Sequence, residues 1–176
     1  KQRSYFYIMY NQGGSTVHIH TEDGKNILVD GDKTSVDYAV KTGIRQFDAV
    51  LLTTVGRSSR SDLQALYEAG VCNTAIVPQD SGISKSGLEN MQLLYYNQKG
   101  ADMNVQGVQI ACREEAGDLY VRLELDGMKA VMPVDVGLMG RAMPCDVLVL
   151  PGQCRNVEQA SLLNRQAAIV TPAYME

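Results

Sequence analysis

Apolar and polar positions along this chain follow two rhythms, a period of two and a period near 3.6, and their order predicts the elements. Tyr5 to Tyr10 reads as a strand and Asn11-Gln12-Gly13-Gly14 as a turn. Ser15 to Thr21 alternates, with Val17 and Ile19 on one side and Thr16, His18 and His20 on the other. Asp23-Gly24 between apolar runs predicts a hairpin into Asn26 to Val29, which Asp30-Gly31-Asp32 closes. A short helix follows, with Thr34 or Ser35 as its cap, Val36, Ala39 and Val40 on one face and Gly43 at its end.

Phe47 to Leu52 is the next strand. It breaks into Thr53-Thr54-Val55-Gly56-Arg57-Ser58-Ser59-Arg60-Ser61. A helix then starts near Ser59 or Ser61, carries Leu63, Leu66 and Tyr67, and stops at Gly70, with Ser61 and Gln64 at capping-box spacing. Thr74 to Val77 reads as a short buried strand. Leu88, Met91, Leu94 and Tyr95 form a helical stripe that ends near Gly100. Val105 to Cys112 is strand-like, with Gly107 a turn or bulge, and Leu119 to Leu125 pairs with Met128 to Met132 across Asp126-Gly127. After a Gly- and Met-rich segment come a strand at Asp146 to Leu150, a loop at Pro151 to Arg155, a helix capped by Asn156 with Gln159, and a last strand at Ala167 to Val170. Strands and hairpins, then alternating strands and helices, occur twice. The pattern predicts an α/β fold with two mixed β-sheets face to face and helices outside.

Composition narrows this picture only a little. With 176 residues, 45% hydrophobic and 20% charged, the chain is of a size for one globular domain. No linker or repeat interrupts it, so a single domain over residues 1–176 is expected. The net charge of -4 argues against a nonspecific nucleic-acid binder unless the basic residues cluster. No apolar run approaches the length that crosses a bilayer, and no signal peptide is expected. The first residue is Lys1 rather than Met, which suits a processed chain or an excised domain. The four cysteines, Cys72, Cys112, Cys145 and Cys154, match no zinc-ribbon or CxxC spacing; the first three read as core residues and Cys154 as a loop residue.

The motifs, taken together, resemble the metallo-β-lactamase superfamily, and within it the soluble domain of ComEC-type competence proteins, which take up DNA. Ile8-Met9-Tyr10-Asn11-Gln12-Gly13-Gly14-Ser15 matches the family's LDVGQGDS phrase, and Gly24 to Asp32 matches GKTILIDGG. Gly43-Ile44-Arg45-Gln46-Phe47-Asp48-Ala49-Val50-Leu51-Leu52-Thr53 matches GIRRLDAVVLTH, the phrase that leads into the metal motif HxHxDH. Val121 to Asp135 and Cys145 to Arg155 correspond to the later strand-and-aspartate and ADVLKVPHHGS phrases. The resemblance implies a metallo-β-lactamase-like αββα sandwich that is C-terminally shortened, since the family carries a further helix and strand. It also implies a soluble domain of a bacterial cell-membrane protein, on a side of the membrane that the sequence does not give.

The departures from the family carry the functional reading. The ligand positions of HxHxDH fall on Thr54, Gly56, Ser58 and Ser59, and the later paired histidines fall on Gly152 and Gln153. Asp135 is retained at the bridging-aspartate position, and Asp30 at a position that supports the loop. One carboxylate does not hold Zn²⁺ or Mn²⁺, so no cofactor is expected, with Zn or Mn bound only at a relocated site. The resemblance then implies a non-catalytic domain in DNA uptake, either structural or binding DNA or another phosphate-bearing ligand, with the other domains of a membrane-embedded parent as further partners. The alternative is a metal-dependent hydrolase or nuclease with a relocated metal site.

Several residue sets compete for the role of site. Arg57, Ser58, Ser59 and Arg60 at a helix N-terminus suit an anion, joined by Arg155 in the later loop that the resemblance places at the same rim, with Arg141 a further candidate; plain capping and solvated arginines are the simpler reading. His18 and His20 share a strand face as a metal pair or as partly exposed strand residues. Asp30, Asp32, Asp62 and Asp135 could make an oxygen-only cation site, the family fold bringing Asp30 and Asp135 towards one rim, or do turn and capping work. Cys154 beside Arg155 is a nucleophile only with a base that the sequence does not place nearby.

Overall fold

The computed structural model describes residues 3–11, 14–152 and 157–171. The chain divides into two compact units, Lys1–Tyr7 with Thr16–Asn97, and Ile8–Ser15 with Gln98–Glu176.

The first sheet takes the order β1 (Tyr5–Asn11), β2 (Gly14–His20), β3 (Asn26–Val29), β4 (Ala49–Leu51), β5 (Thr74–Pro78) and β6 (Gln92–Tyr96). β2 and β3 pair antiparallel across the Asp23-Gly24 turn, His18 opposite Leu28; β3 to β6 run parallel, Leu28 beside Val50 and Val50 beside Ala75. Parallel pairing needs crossovers. These are α1 (Thr34–Thr42) between β3 and β4, and α2 (Ser59–Glu68) between β4 and β5. Leu28, Val50, Ala75 and Val77 on one sheet face pack with Ala39 of α1, Leu63 and Leu66 of α2, and Phe47, Leu88 and Met91. Alternation sends Ile27, Val29, Ala49, Leu51 and Ile76 to the other face, and these are buried as well. Each fully buried Val, Leu, Ile, Phe or Met side chain among them contributes on the order of 1.5–3 kcal/mol.

The second sheet takes the order β12 (Ala168–Val170), β11 (Val147–Val149), β10 (Met128–Pro133), β9 (Asp118–Leu125), β8 (Val108–Glu115) and β7 (Gly100–Val105). β7 to β10 form an antiparallel meander, and β10, β11 and β12 are parallel. A 3-10 helix, Val136–Gly140, precedes β11, and α3 (Val157–Leu163) crosses to β12. Val131, Leu138, Met139, Met143, Leu148, Leu150 and Ala160 make the core of this unit. Both sheets are mixed, as the pattern predicts.

Four expectations are corrected. The stripe Leu88, Met91, Leu94, Tyr95 is not a helix: Leu88 and Met91 are buried in turns, and Leu94 and Tyr95 lie exposed on edge strand β6. Val105 to Cys112 is not one continuous strand, and of the two readings of Gly107 the turn holds and the bulge does not. Gln106 and Gly107, at φ 52 and 90, turn β7 into β8 as the central pair of a hairpin.

The third correction concerns caps. Asp32 Oδ1, not a Thr34 or Ser35 oxygen, accepts the Thr34 N–H at 2.8 Å, and Ser35 Oγ accepts the Asp32 N–H at 3.2 Å. At α2, Ser61 Oγ donates back to Ser58 O at 2.9 Å and Gln64 reaches forward to Glu68, so no capping box forms; Ser59 Oγ accepts the Gly56 N–H at 2.8 Å instead. The fourth is the polar face of β2: Thr16, His18 and His20 are all buried, because β1 and α1 cover it. The cap at Asn156 lies outside the described residues. Among the described residues, no helix is long and apolar enough to cross a membrane.

Candidate functional site

Parallel pairing of β3 and β4 sets Val29 beside Leu51, so the two strands end at the same level. The chain leaves β3 through Asp30, in the left-handed region at φ 54, which a short polar side chain tolerates better than most. Its N–H donates to Leu51 O at 2.8 Å and its carbonyl accepts the Thr16 hydroxyl at 2.9 Å. Gly31 follows where no other residue fits easily: a Cβ there would overlap Leu28 Cδ2 and stand 2.7 Å from its Cγ.

That backbone aims the Asp30 carboxylate across the end of β4. Oδ1 accepts the Thr53 N–H at 2.7 Å, Oδ2 accepts the Thr53 hydroxyl, and the Thr54 N–H adds a third donor. Burial pushes the carboxyl up from 3.8 to about 6, against the opposing pull of the Thr53 hydroxyl and the Thr53 and Thr54 amides. Tyr96, from β6, donates its hydroxyl to Leu52 O at 2.6 Å in the interior. The first residues of the loop are therefore clamped from two sides, while Thr54, Gly56, Arg57 and Ser58 lie towards solvent.

The basic pair in this loop is unequal. Arg60 donates to Ser84 O at 3.3 Å and is half-buried, its guanidinium beside Gly87. Arg57 is exposed and takes part in none of the ion pairs formed among the described residues. Ser59 is half-buried, and its hydroxyl and N–H both close the loop onto Gly56. Asp62 Oδ1 accepts the Lys33 N–H at 3.2 Å, which ties α2 to the start of α1. Asp30, Asp32 and Asp62 thus hold turns and caps.

His18 and His20 do come together, but around an amide. Asn26 Oδ1 lies 2.8 Å from both His18 Nε2 and His20 Nδ1, and Tyr38 Oη lies 2.6 Å from His18 Nδ1. Burial holds His18 below its ordinary 6.5, the Asn26 bond opposes this, and His20 adds to the lowering. Tyr38 is pushed up to about 12 by burial, with the Tyr5 and Tyr7 phenols adding to it.

In the second unit, Asp135 Oδ2 accepts the Leu119 N–H at 2.7 Å, which fixes the end of β10 to the start of β9. Arg141 pairs with Glu115 at 3.1 Å. Gly152 packs on Gly14, where a Cβ would stand 3.2 Å from the Gly14 Cα. Tyr10 Oη is 2.8 Å from both Leu150 O and Val170 O. Cys72 and Cys112 are buried and Cys145 is half-buried; burial pushes the Cys72 thiol up to about 11, and raises Cys145 with help from Asp146. Gln153, Cys154 and Arg155 lie outside the described residues. Sequence reasoning missed Asn26, Tyr38 and Tyr96; they act through contacts 6 to 44 residues away in the chain that no local pattern signals.

No protein-family model matches this sequence, and no curated protein matches it. Solved structures match in fold. A zinc-bound PqqB from Methylobacterium extorquens superposes with a TM-score of 0.64 at 12% identity, over 84% of this chain and 69% of that one. A diphosphatase of the PhnP family gives 0.53 at 13% identity, over 77% and 58%. A metallo-β-lactamase from Staphylococcus aureus gives 0.55 at 14% identity, over 97% and 56%. The chain spans little more than half the length of the latter two. The fold is that of the metallo-β-lactamases.

Among the described residues, the donors present do not fit the metal such a fold implies. Thr54, Gly56, Ser58 and Ser59 offer no imidazole or carboxylate, both Asp30 oxygens already accept hydrogen bonds, and Asp135 Oδ2 holds Leu119. Among the described residues, no group of three or more His, Cys, Asp or Glu side chains is placed to hold an ion.

Proposed function

We propose that this chain is a non-catalytic, metallo-β-lactamase-like domain of a ComEC-type DNA-uptake protein that binds DNA or another phosphate-bearing ligand at the loop after β4. The observation that carries the reading is the division of labour in that loop. Asp30 is consumed as a brace for Thr53 and Thr54, and the exposed positions beyond the brace carry Arg57 and Ser58. A guanidinium is suited to phosphate oxygens and a hydroxyl supplies a further donor. Because the Gly56 and Ser59 amides already bond within the loop, the anion falls to the side chains of Arg57 and Ser58. Other domains of a membrane-embedded parent are the second class of partner.

The test is paired. Protein purified without chelator is assayed for bound metal and for phosphodiester cleavage, and its affinity for DNA is followed as salt is raised. The expected result is no stoichiometric transition metal, no cleavage dependent on Mn²⁺ or Zn²⁺, and DNA binding that weakens steeply with salt and with Arg57→Ala. A stoichiometric metal with metal-dependent cleavage that Asp135→Ala abolishes overturns the reading in favour of a hydrolase or nuclease with a relocated site.

A further inference from the structure

The cluster on the flank of the first sheet has chemistry that the β4 loop does not use. The Asn26 amide is oriented by its Nδ2 bond to Gly24 O at 3.4 Å, so its oxygen faces both imidazoles and accepts from each. An amide oxygen only accepts. His18 therefore carries its proton on Nε2 and receives the Tyr38 hydroxyl at Nδ1, while His20 carries its proton on Nδ1. That leaves His20 Nε2 as a bare lone pair, buried, with no hydrogen-bond partner among the described residues.

The neutral pair fits this frame and a protonated pair does not. A second proton on His18 Nδ1 sets two donors against each other unless Tyr38 turns. A second proton on His20 Nε2 makes an ionised donor with no acceptor, in a side chain only 7% exposed. The lid over that nitrogen is slight. Tyr5 stacks on His20 at 4.9 Å and Tyr7 on Tyr38 at 5.6 Å, yet both tyrosines belong to β1, the outermost strand of its sheet, and are 42% and 51% exposed.

We propose that the His18–Asn26–His20 cluster is an acid-sensitive latch on edge strand β1: proton uptake by the imidazole pair releases Tyr5 and Tyr7 and lets water reach His20 Nε2, while the rest of the unit stays folded. Release leaves the outer backbone of β2 open as a pairing edge. The groups that face the pair are Tyr5 from β1, Tyr38 from α1, Asn26 from β3, and Phe47 from the segment before β4, with Tyr7 of β1 stacked on Tyr38. The charged groups linked to the cluster through Asn26 are Asp48, whose Oδ2 accepts the Asn26 N–H at 2.8 Å, and Lys25, 4.0 Å from the Asp48 Oδ1; neither is bonded to an imidazole. Burial already disfavours the charged form of His18. The attraction of the Tyr5 face for an imidazolium opposes release, but leaving an ionised donor unpaired in the interior costs more than that attraction returns.

Hydrogen exchange of the whole chain, read by mass spectrometry at pH 7.5 and pH 5.0 and corrected for intrinsic rates, tests the latch. The expected result is a loss of protection of about tenfold or more in β1, with peptides over β4 and β5 unchanged. In His20→Gln, whose amide still reaches Asn26 and does not titrate, that change shrinks to a few-fold at most. Protection of β1 that is equal at the two pH values, or lost equally in β1, β4 and β5, overturns the latch. The wild-type comparison decides this even where the variant fails to fold.

Discussion

Asp30 and Thr53 are joined twice, the carboxylate taking the Thr53 N–H on Oδ1 at 2.7 Å and the Thr53 hydroxyl on Oδ2. In this fold Asp30 is the brace that orders the loop after β4.

Removing the brace leaves three donors without their acceptor. Asp30→Ala is expected to lower stability by about 2–4 kcal/mol, since each buried donor stranded costs about 1–3 kcal/mol and the loop relaxes in part. Asp30→Asn keeps one acceptor, lets the Thr53 hydroxyl turn to accept, and tolerates the left-handed backbone; about 1 kcal/mol is expected. Urea denaturation of both variants checks the ranking, and equal losses would refute it.

The pH dependence carries two opposite slopes. Asp30 titrates at about 6 folded against 3.8 unfolded, so the folded state binds the proton more tightly. Its contribution to stability falls as pH rises from 3.8 towards 6 and is constant above. His18 lies below 6.5 when folded, so the unfolded state takes the proton first, and stability falls as pH drops below 6.5. Asp30→Asn removes the first slope alone. Unfolding free energies at stepped pH should therefore show a steeper acid-side loss in Asp30→Asn than in wild type, and His18→Gln should flatten that loss.

The two arginines of the loop should separate. Arg57 is exposed, whereas Arg60 spends a donor on Ser84 O. Arg57→Ala is expected to weaken DNA binding several-fold at low salt and to reduce the salt slope by about one unit. Arg60→Ala is expected to weaken binding less and to lower stability by about 0.5–1.5 kcal/mol through the lost bond. Titrations at stepped salt check this; a larger binding effect from Arg60→Ala contradicts the placement of the site.

Gly31 is fixed by space rather than by its turn. An added Cβ would overlap Leu28 Cδ2, and Leu28 is fully buried in the helix-facing core. Gly31→Ala should cost about 1–3 kcal/mol by overpacking. In the Leu28→Val background the same change should cost less, and a double-mutant cycle in thermal or chemical denaturation shows whether the two positions couple.

Some of this was legible in one dimension. The Asp23-Gly24 and Asp126-Gly127 hairpins, the Phe47 to Leu52 run and the Gly43 and Gly70 helix ends follow from turn chemistry and periodicity, which act within a few residues. The same local rules left turn and bulge both open at Gly107 and failed at β6. Gln106-Gly107 makes the tight turn that Asn-Gly usually makes, so its signal was weak. Edge strand β6 leaves Leu94 and Tyr95 exposed, at a spacing from Leu88 and Met91 that imitates a helix.

The sequence by itself determined the two mixed sheets, and it placed neither imidazole nor carboxylate at Thr54, Gly56, Ser58 and Ser59 after β4. Only the tertiary structure decided what the remaining polar groups do. Asp30 meets Thr53 across 23 positions, His18 meets Asn26 and Tyr38 across 8 and 20, and Tyr96 meets Leu52 across 44. A buried donor or acceptor is settled by whichever group packing brings within about 3 Å of it, and no spacing along a chain states which group that is.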